Sequence, residues 1–85
     1  MGSAKQEKPQ KLAQKLKDIR LTLGFTQDEM AKALKTHGVK MYRGYVGSFE
    51  IGARVPSLVV TLAYARIAKV PMEIICDDEL DLPKT

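Results

Sequence analysis

Hydrophobic and polar residues follow the three-to-four-residue period of an α-helix in the first part of the chain. This period predicts helix 1 from about Pro9 to about Leu23. One stripe of the helix is apolar and faces a core, whereas lysine, arginine and aspartate side chains form a basic outer face. Gly24 is expected to end the helix, since glycine tolerates the left-handed conformation. The residues on the stripe are Leu12, Leu16, Ile19 and Leu23.

Helix 2 is predicted from about Gln27 to Leu34, and its beginning is strongly marked. Thr26 and Glu29 have the spacing of a capping box, in which each side chain binds the backbone amide of the other residue. Phe25 is placed to pack across the cap. The helix is expected to bury Met30, Ala31 and Leu34. The small Ala31 would allow another helix to cross closely.

Helix 3 is predicted from about Tyr42 to Ile51, after Gly38 breaks the helical pattern. Val46 and Phe49 share a buried face, which Tyr42 extends, and Gly52 is a plausible stop. Gly44 and Gly47 each weaken this helix by about 1 kcal/mol relative to alanine. Such glycines would suit a close approach to the backbone, or they mark a marginal helix held only by packing.

Two more helices complete the pattern. Helix 4 begins after the predicted N-cap Ser57, carries Leu58, Leu62 and Ala65 on its stripe, and ends before Pro71. Helix 5 covers about Met72 to Asp78. With no credible strand, the chain is predicted to be all-α, a compact five-helix bundle. The domain is expected to span 11–79, between a basic N-terminal arm (1–10) and a loose tail (80–85).

Charge is unevenly distributed along the 85 residues. Residues 1–54 have a net charge of +6, and residues 55–85 have −2, in agreement with the total of +4. A basic first part with an acidic end suits a surface that meets a polyanion. Lys5 and Lys8 of the arm could follow DNA phosphates or could simply be solvated.

Several classes of function are disfavoured. No apolar run is long enough to cross a membrane and no signal peptide is visible, so a cytoplasmic setting is expected. Cys76 and His37 each stand alone, which argues against a metal site. No set of residues typical of catalysis is apparent, and we expect neither an enzyme nor a cofactor.

The order and spacing of several short motifs resemble the Cro and phage-repressor type of helix-turn-helix family, the xenobiotic-response-element-like transcriptional regulators. The resemblance covers residues 12–78 and implies a lambda-repressor-like domain. The matching features are Gly24-Phe-Thr-Gln27, Ala31, Val46-x-x-Phe-Glu-x-Gly52, Arg54, Pro56-Ser-Leu58 and Leu-Ala-Tyr-Ala-Arg66 before Val70-Pro71.

The resemblance implies that helix 3 lies in the major groove of DNA. Gln27 would meet a phosphate and brace helix 3, with the amides that follow Thr26 adding a phosphate contact. Glu50 would be structural. The DNA-binding residues implied or considered are Thr26, Gln27, Lys40, Tyr42, Arg43, Gly44, Gly47, Ser48 and Arg54.

One departure from the family lies between helices 2 and 3, where about five extra residues lengthen the turn. The start of helix 3 is therefore less well defined than its end, and this affects Tyr42 and Arg43. Arg43 could pair with guanine or contact only a phosphate. Lys40, in the longer turn, could contact a phosphate or be solvated.

The sequence thus favours a sequence-specific regulator that binds double-stranded DNA as a homodimer. The alternative is a protein-interaction module, antitoxin-like or an accessory factor, that uses the same fold without binding DNA. Such a module would use helix 3 or the surface from Met72 to Ile75.

Overall fold

The computed structural model describes residues 10–83, and in that range the chain forms five α-helices and no strand. The prediction of a compact all-α chain is therefore confirmed. The expected basic arm, with Lys5 and Lys8, lies almost wholly outside the described residues. The helices are α1 (Leu12–Leu23), α2 (Gln27–Thr36), α3 (Arg43–Glu50), α4 (Leu58–Ala68) and α5 (Met72–Cys76).

The turn from α1 to α2 has the predicted signals. Gly24 has φ +77°, and the amides of Gly24 and Phe25 donate to the carbonyls of Leu21 and Arg20, which closes the end of α1. Both bonds of the capping box are present. The Glu29 amide donates to the Thr26 hydroxyl at 3.1 Å, and the Thr26 amide donates to the Glu29 carboxylate at 2.8 Å.

Helix α3 begins one residue later than predicted, because Tyr42 is the extended residue that precedes it. Tyr42 is 59% exposed, so the prediction that it extends the buried face is wrong. Met41 is buried in the core instead. Tyr42 has an extended backbone, in which neighbouring side chains point in opposite directions, and this separates it from Met41.

The predicted inner stripe of α4 is wrong at Leu58 and Leu62, although Ala65 is buried as predicted. Leu58 is 73% exposed and Leu62 is exposed, whereas Thr61 and Tyr64 are buried. Residues 55–65 carry no charge, so hydrophobicity alone does not distinguish the faces of this helix. Burial of Thr61 is possible because its hydroxyl donates to the Ser57 carbonyl at 2.9 Å.

Lys15 departs from the basic outer face predicted for helix 1. It is 5% exposed, and its ammonium donates to the carbonyls of Ile74, Asp77 and Leu80 at 2.7, 2.9 and 2.7 Å. These carbonyls lie in α5 and in the segment after it. A buried cation on α1 thus binds carbonyls at the carboxyl end of α5, where a helix favours positive charge.

Asp78 forms the reciprocal connection. Helix α1 has no side-chain cap of its own, but the amides of Gln10 and Lys11 donate to the Asp78 carboxylate at 2.7 and 3.0 Å. Helix α1 begins at Leu12, after these capped amides, and not near Pro9 as predicted. The two ends of the described chain are therefore joined in both directions. Lys15 near the first end binds backbone carbonyls of the last, and Asp78 near the last end binds backbone amides of the first.

The segment after α5 has contacts where the sequence predicted a loose tail. Helix α5 ends at Cys76, two residues before the predicted end. The Leu80 carbonyl accepts from Lys15, and Leu82 packs against the core. None of the five helices in the described range is long and apolar enough to cross a membrane.

We predict that Lys15→Met lowers the free energy of unfolding by about 2–4 kcal/mol. Methionine fills similar space but provides none of the three charge-assisted hydrogen bonds to the carbonyls. Urea denaturation followed by circular dichroism measures the change. Lys17→Met, at an exposed position of the same helix, is the matched control and should be nearly neutral. Equal losses in the two variants would contradict the role of Lys15.

We predict that Asp78→Asn lowers the thermal midpoint at pH 7 and has a smaller effect at pH 2. The two amide bonds lower the pKa of Asp78 below its ordinary value of 3.8. Its contribution is therefore complete above that value and is lost as the pH falls through the lowered pKa. Asp81→Asn, which removes a carboxylate 84% exposed, is the control. If the thermal midpoints of wild type and Asp78→Asn differed by the same amount at both pH values, the ionised Asp78 carboxylate would not be the source of the stabilisation.

Candidate nucleic-acid interface

Helix α3 is held from its inner face by apolar packing. Val46 is fully buried and Phe49 is nearly so, as predicted. The Phe49 ring meets the buried Tyr64 ring edge to face, with 6.5 Å between centroids. The Tyr64 hydroxyl has no hydrogen-bond partner among the described residues, and burial raises the pKa of Tyr64. The carboxyl half of α3 is thus fixed against the core.

A salt bridge between Arg20 of α1 and Glu50 of α3 is the main polar anchor. The Arg20 Nε and Nη2 donate to the two Glu50 oxygens at 2.7 and 3.0 Å, and Nη1 donates to the Phe25 carbonyl at 2.9 Å. The side chains are 12% and 3% exposed. These bonds to Glu50 raise the pKa of Arg20. One guanidinium therefore connects α1, the turn before α2, and α3.

Gln27 extends this network to α2. Its Nε2 donates to the Glu50 carboxylate at 3.2 Å. Its side chain also lies across Gly47, where an added Cβ would be 3.4 Å from the Gln27 Oε1. Gly47 thus faces α2 and is half-buried, although it was among the residues expected to contact DNA. Gln27 therefore braces α3 by its bond to Glu50 and by lying in van der Waals range of position 47.

The outward side of α3 begins with four consecutive exposed residues, Tyr42, Arg43, Gly44 and Tyr45. Gly44 has open space where a Cβ would be, so the backbone is accessible there. Ser48 is half-buried, and its carbonyl accepts from the amides of the loop after α3. The first turn of α3 is consequently its most accessible part.

Two cations and two tyrosines form a row along this surface. The Lys35 ammonium lies 5.6 Å from the centre of the Tyr42 ring, and the Tyr42 and Tyr45 rings meet edge to face at 5.8 Å. The Arg54 guanidinium lies 4.7 Å from the Tyr45 ring. We call Lys35, Tyr42, Tyr45 and Arg54 the tyrosine-cation row. Sequence reasoning missed Lys35 and Tyr45, although the three-residue spacing of the tyrosines was a usable signal.

The longer turn is part of the same region. Met41 anchors it in the core, and the exposed Lys40 lines a groove together with Tyr45, Arg54 and Ser57. Lys40 is therefore close to the tyrosine-cation row and is positioned by its buried neighbour.

Among the described residues, the cations around α3 have no acidic partner, whereas Lys11, Arg20 and Lys32 each form an ion pair. Within residues 10–83, none of Lys35, Lys40, Arg43 and Arg54 forms an ion pair. Glu50 is the one acid between Lys35 and Arg66 in sequence, and Arg20 neutralises it. The region therefore has an unbalanced positive charge.

The beginning of α2 carries negative charge, in contrast to the region around α3. The Thr26 hydroxyl is occupied in the capping box, and Asp28 and Glu29 place two carboxylates in the first turn. Carboxylates there repel a phosphate and compete with it for the helix end. This arrangement disfavours the phosphate contact that the resemblance implied for Thr26.

Comparison with protein-family models, with curated proteins and with solved structures finds no match for this chain.

We predict that Glu50→Gln lowers the free energy of unfolding by about 2–4 kcal/mol. The substitution leaves Arg20 largely buried without an anion, which is more costly than losing an exposed pair. Chemical denaturation measures the loss. Asp28→Asn is the control, because it breaks the exposed pair with Lys32 at 3.5 Å and should cost well under 1 kcal/mol. A loss for Glu50→Gln no larger than the control's would contradict an anchoring role.

Proposed function

We propose that this chain is a sequence-specific regulator that binds double-stranded DNA through α3 and its flanks. The observation that carries the proposal is the set of four cations without acidic partners around the accessible start of α3, interleaved with two exposed tyrosines. A polyanion would neutralise this charge, and tyrosine hydroxyls can donate to phosphates.

The packing of α3 supports a reading role. A helix that enters the major groove must be rigid and must present its first turn outward. The buried Arg20–Glu50 pair and the Gln27 brace supply rigidity, while Arg43 and Gly44 lie exposed in the first turn. We propose that α2 and α3 form the helix-turn-helix of a lambda-repressor-like domain.

We assign the residues different roles within this proposal. Arg43 is the candidate for reading a base, because its planar guanidinium can donate two hydrogen bonds to guanine. Lys35, Lys40 and Arg54 flank α3 and are assigned to phosphates, with Tyr42 and Tyr45 between them. Gln27 is assigned mainly to bracing, because its amide already binds Glu50.

We also propose that the protein acts as a homodimer, because two copies of α3 would then read two half-sites. The second candidate function is a protein-interaction module without DNA binding. Exposed apolar side chains on α4 favour a protein contact of some kind. The Met72–Ile75 surface does not, because Ile75 is fully buried and Met72 packs against the core.

We predict that binding to duplex DNA weakens steeply with salt, and that Lys40→Gln with Arg54→Gln reduces this dependence. Each lost phosphate contact removes about 0.9 from the slope of log K against log salt, so the double variant should lose about 2. Fluorescence anisotropy with a labelled duplex at several salt concentrations measures the slope.

The matched control is Lys17→Gln with Arg66→Gln, which removes the same charge from exposed positions outside the α3 region. It should lose much less of the slope. Duplex binding that does not depend on salt, or equal losses in the two double variants, would count against α3 as the DNA-binding surface. The absence of binding at low salt would favour the protein-interaction module.

A further inference from the structure

Two of the five aromatic side chains are exposed, and both belong to the tyrosine-cation row. Tyr42 is 59% exposed and Tyr45 is 40% exposed, and their rings meet edge to face with 5.8 Å between centroids. Gly44, between them in sequence, has open space where a side chain would be. Both rings can therefore be reached from solvent at the beginning of α3.

A duplex makes little use of such rings. In the major groove it presents the edges of its bases, whereas the flat faces of the bases are stacked inside the double helix. A tyrosine side chain has one polar group, its hydroxyl, for a base edge or a phosphate. Contacts of that kind leave the faces of the Tyr42 and Tyr45 rings without a partner. Unpaired bases, in contrast, stack on the faces of aromatic side chains.

Cations lie at both ends of this pair of rings. The Lys35 ammonium is 5.6 Å from the centre of the Tyr42 ring, and the Arg54 guanidinium is 4.7 Å from the centre of the Tyr45 ring. Both cations are exposed, and neither forms an ion pair within the described part of the chain. A cation–π contact at an exposed site is weak, so each cation can exchange its ring for a phosphate as a base stacks there.

We propose that the tyrosine-cation row binds single-stranded nucleic acid. Unpaired bases stack on Tyr42 and Tyr45, and Lys35 and Arg54 bind the phosphates on either side of them. The combination of aromatic rings with a line of positive charge is the one by which proteins hold single strands with little preference for sequence. Bases and phosphates are common to DNA and RNA, so the ligand class is a single strand of either kind.

This activity goes beyond the recognition of duplex DNA and uses part of the same surface. A single strand on the row occupies Arg54, which is assigned to a duplex phosphate, and covers the beginning of α3. Single strand and duplex therefore compete for the protein. The two ligands differ in what they need from the tyrosines, because stacking requires the ring whereas a duplex phosphate requires the hydroxyl.

The test is fluorescence anisotropy of the full chain at low salt with labelled oligothymidylate and oligouridylate of about twelve nucleotides, a length within the range of known single-strand sites. Tyr42→Leu and Tyr45→Leu should each weaken single-strand binding at least about fivefold, because leucine is apolar but has no ring on which a base can stack. Tyr42→Phe and Tyr45→Phe are the matched controls. They keep the ring and should bind single strands like wild type. The two oligonucleotides distinguish DNA from RNA as the preferred ligand.

Intrinsic fluorescence reports the stacking itself. The chain has no tryptophan, so its emission comes from three tyrosines, of which Tyr64 is fully buried. A base stacked on Tyr42 or Tyr45 quenches that ring, whereas Tyr64 is out of reach. Saturating oligothymidylate should therefore lower the emission of wild type and leave that of the double variant Tyr42→Leu with Tyr45→Leu nearly unchanged.

The outcomes separate this inference from the proposed function. The inference is overturned if wild type binds neither oligonucleotide at low salt, or if the leucine variants bind single strands as well as the phenylalanine variants do, even where duplex binding is normal. Equal weakening by leucine and phenylalanine would also overturn it, because the hydroxyl and not the ring would then make the contact. Single-strand binding that needs the rings supports it, including where no duplex binding is found. That last combination would overturn the duplex-binding function alone.

Discussion

The Arg20–Glu50 pair is the interaction on which the arrangement of the first three helices depends. Its guanidinium reaches α3 and the turn before α2, and its carboxylate also receives Gln27. A buried ion pair contributes little net stability, since desolvation offsets much of the attraction. Its geometric demand is strict, however, because bidentate bonds permit few relative positions of α1 and α3. The outward direction of α3 follows from that restriction.

Local signals in the sequence were sufficient for the end of α1 and the starts of α2, α4 and α5, whereas α1 begins later, α2 ends later and α5 ends earlier than predicted. The capping box at Thr26 and the stop at Gly24 depend only on neighbouring residues, so they could be predicted and are present. Burial was harder to predict wherever composition did not distinguish the faces of a helix. The uncharged α4 has its buried side at Thr61 and Tyr64, which only packing against the other helices decides. Lys15 was misplaced because its carbonyl partners are about sixty residues away.

In the candidate site, too, local features could be predicted, whereas contacts between separate elements could not. The buried side of α3, with Val46 and Phe49, follows from spacing alone, and the anchoring role of Glu50 was implied by the family resemblance. The spacing of Tyr42 and Tyr45 was a usable signal, but the cations beside them could not be foreseen, since Lys35 belongs to α2 and Arg54 to the loop after α3. Such a row requires the approach of separate elements. The extra residues of the long turn obscured the start of α3, because the turn is anchored by the burial of Met41, which depends on packing against other elements.

The carboxyl-terminal acids offset positive charge near the start of α1. Asp78 binds the two amides just before α1, and Asp81 lies 3.9 Å from Lys11, while Lys15 is enclosed by carbonyls in and after α5. Much of the positive charge near the start of α1 is therefore offset or buried. The cations around α3 have no such partners in residues 10–83. Since exposed charges more than about 10 Å apart are largely screened at moderate salt, local balance matters more than the net charge. The four cations around α3 thus keep a positive charge that no ion pair among residues 10–83 offsets.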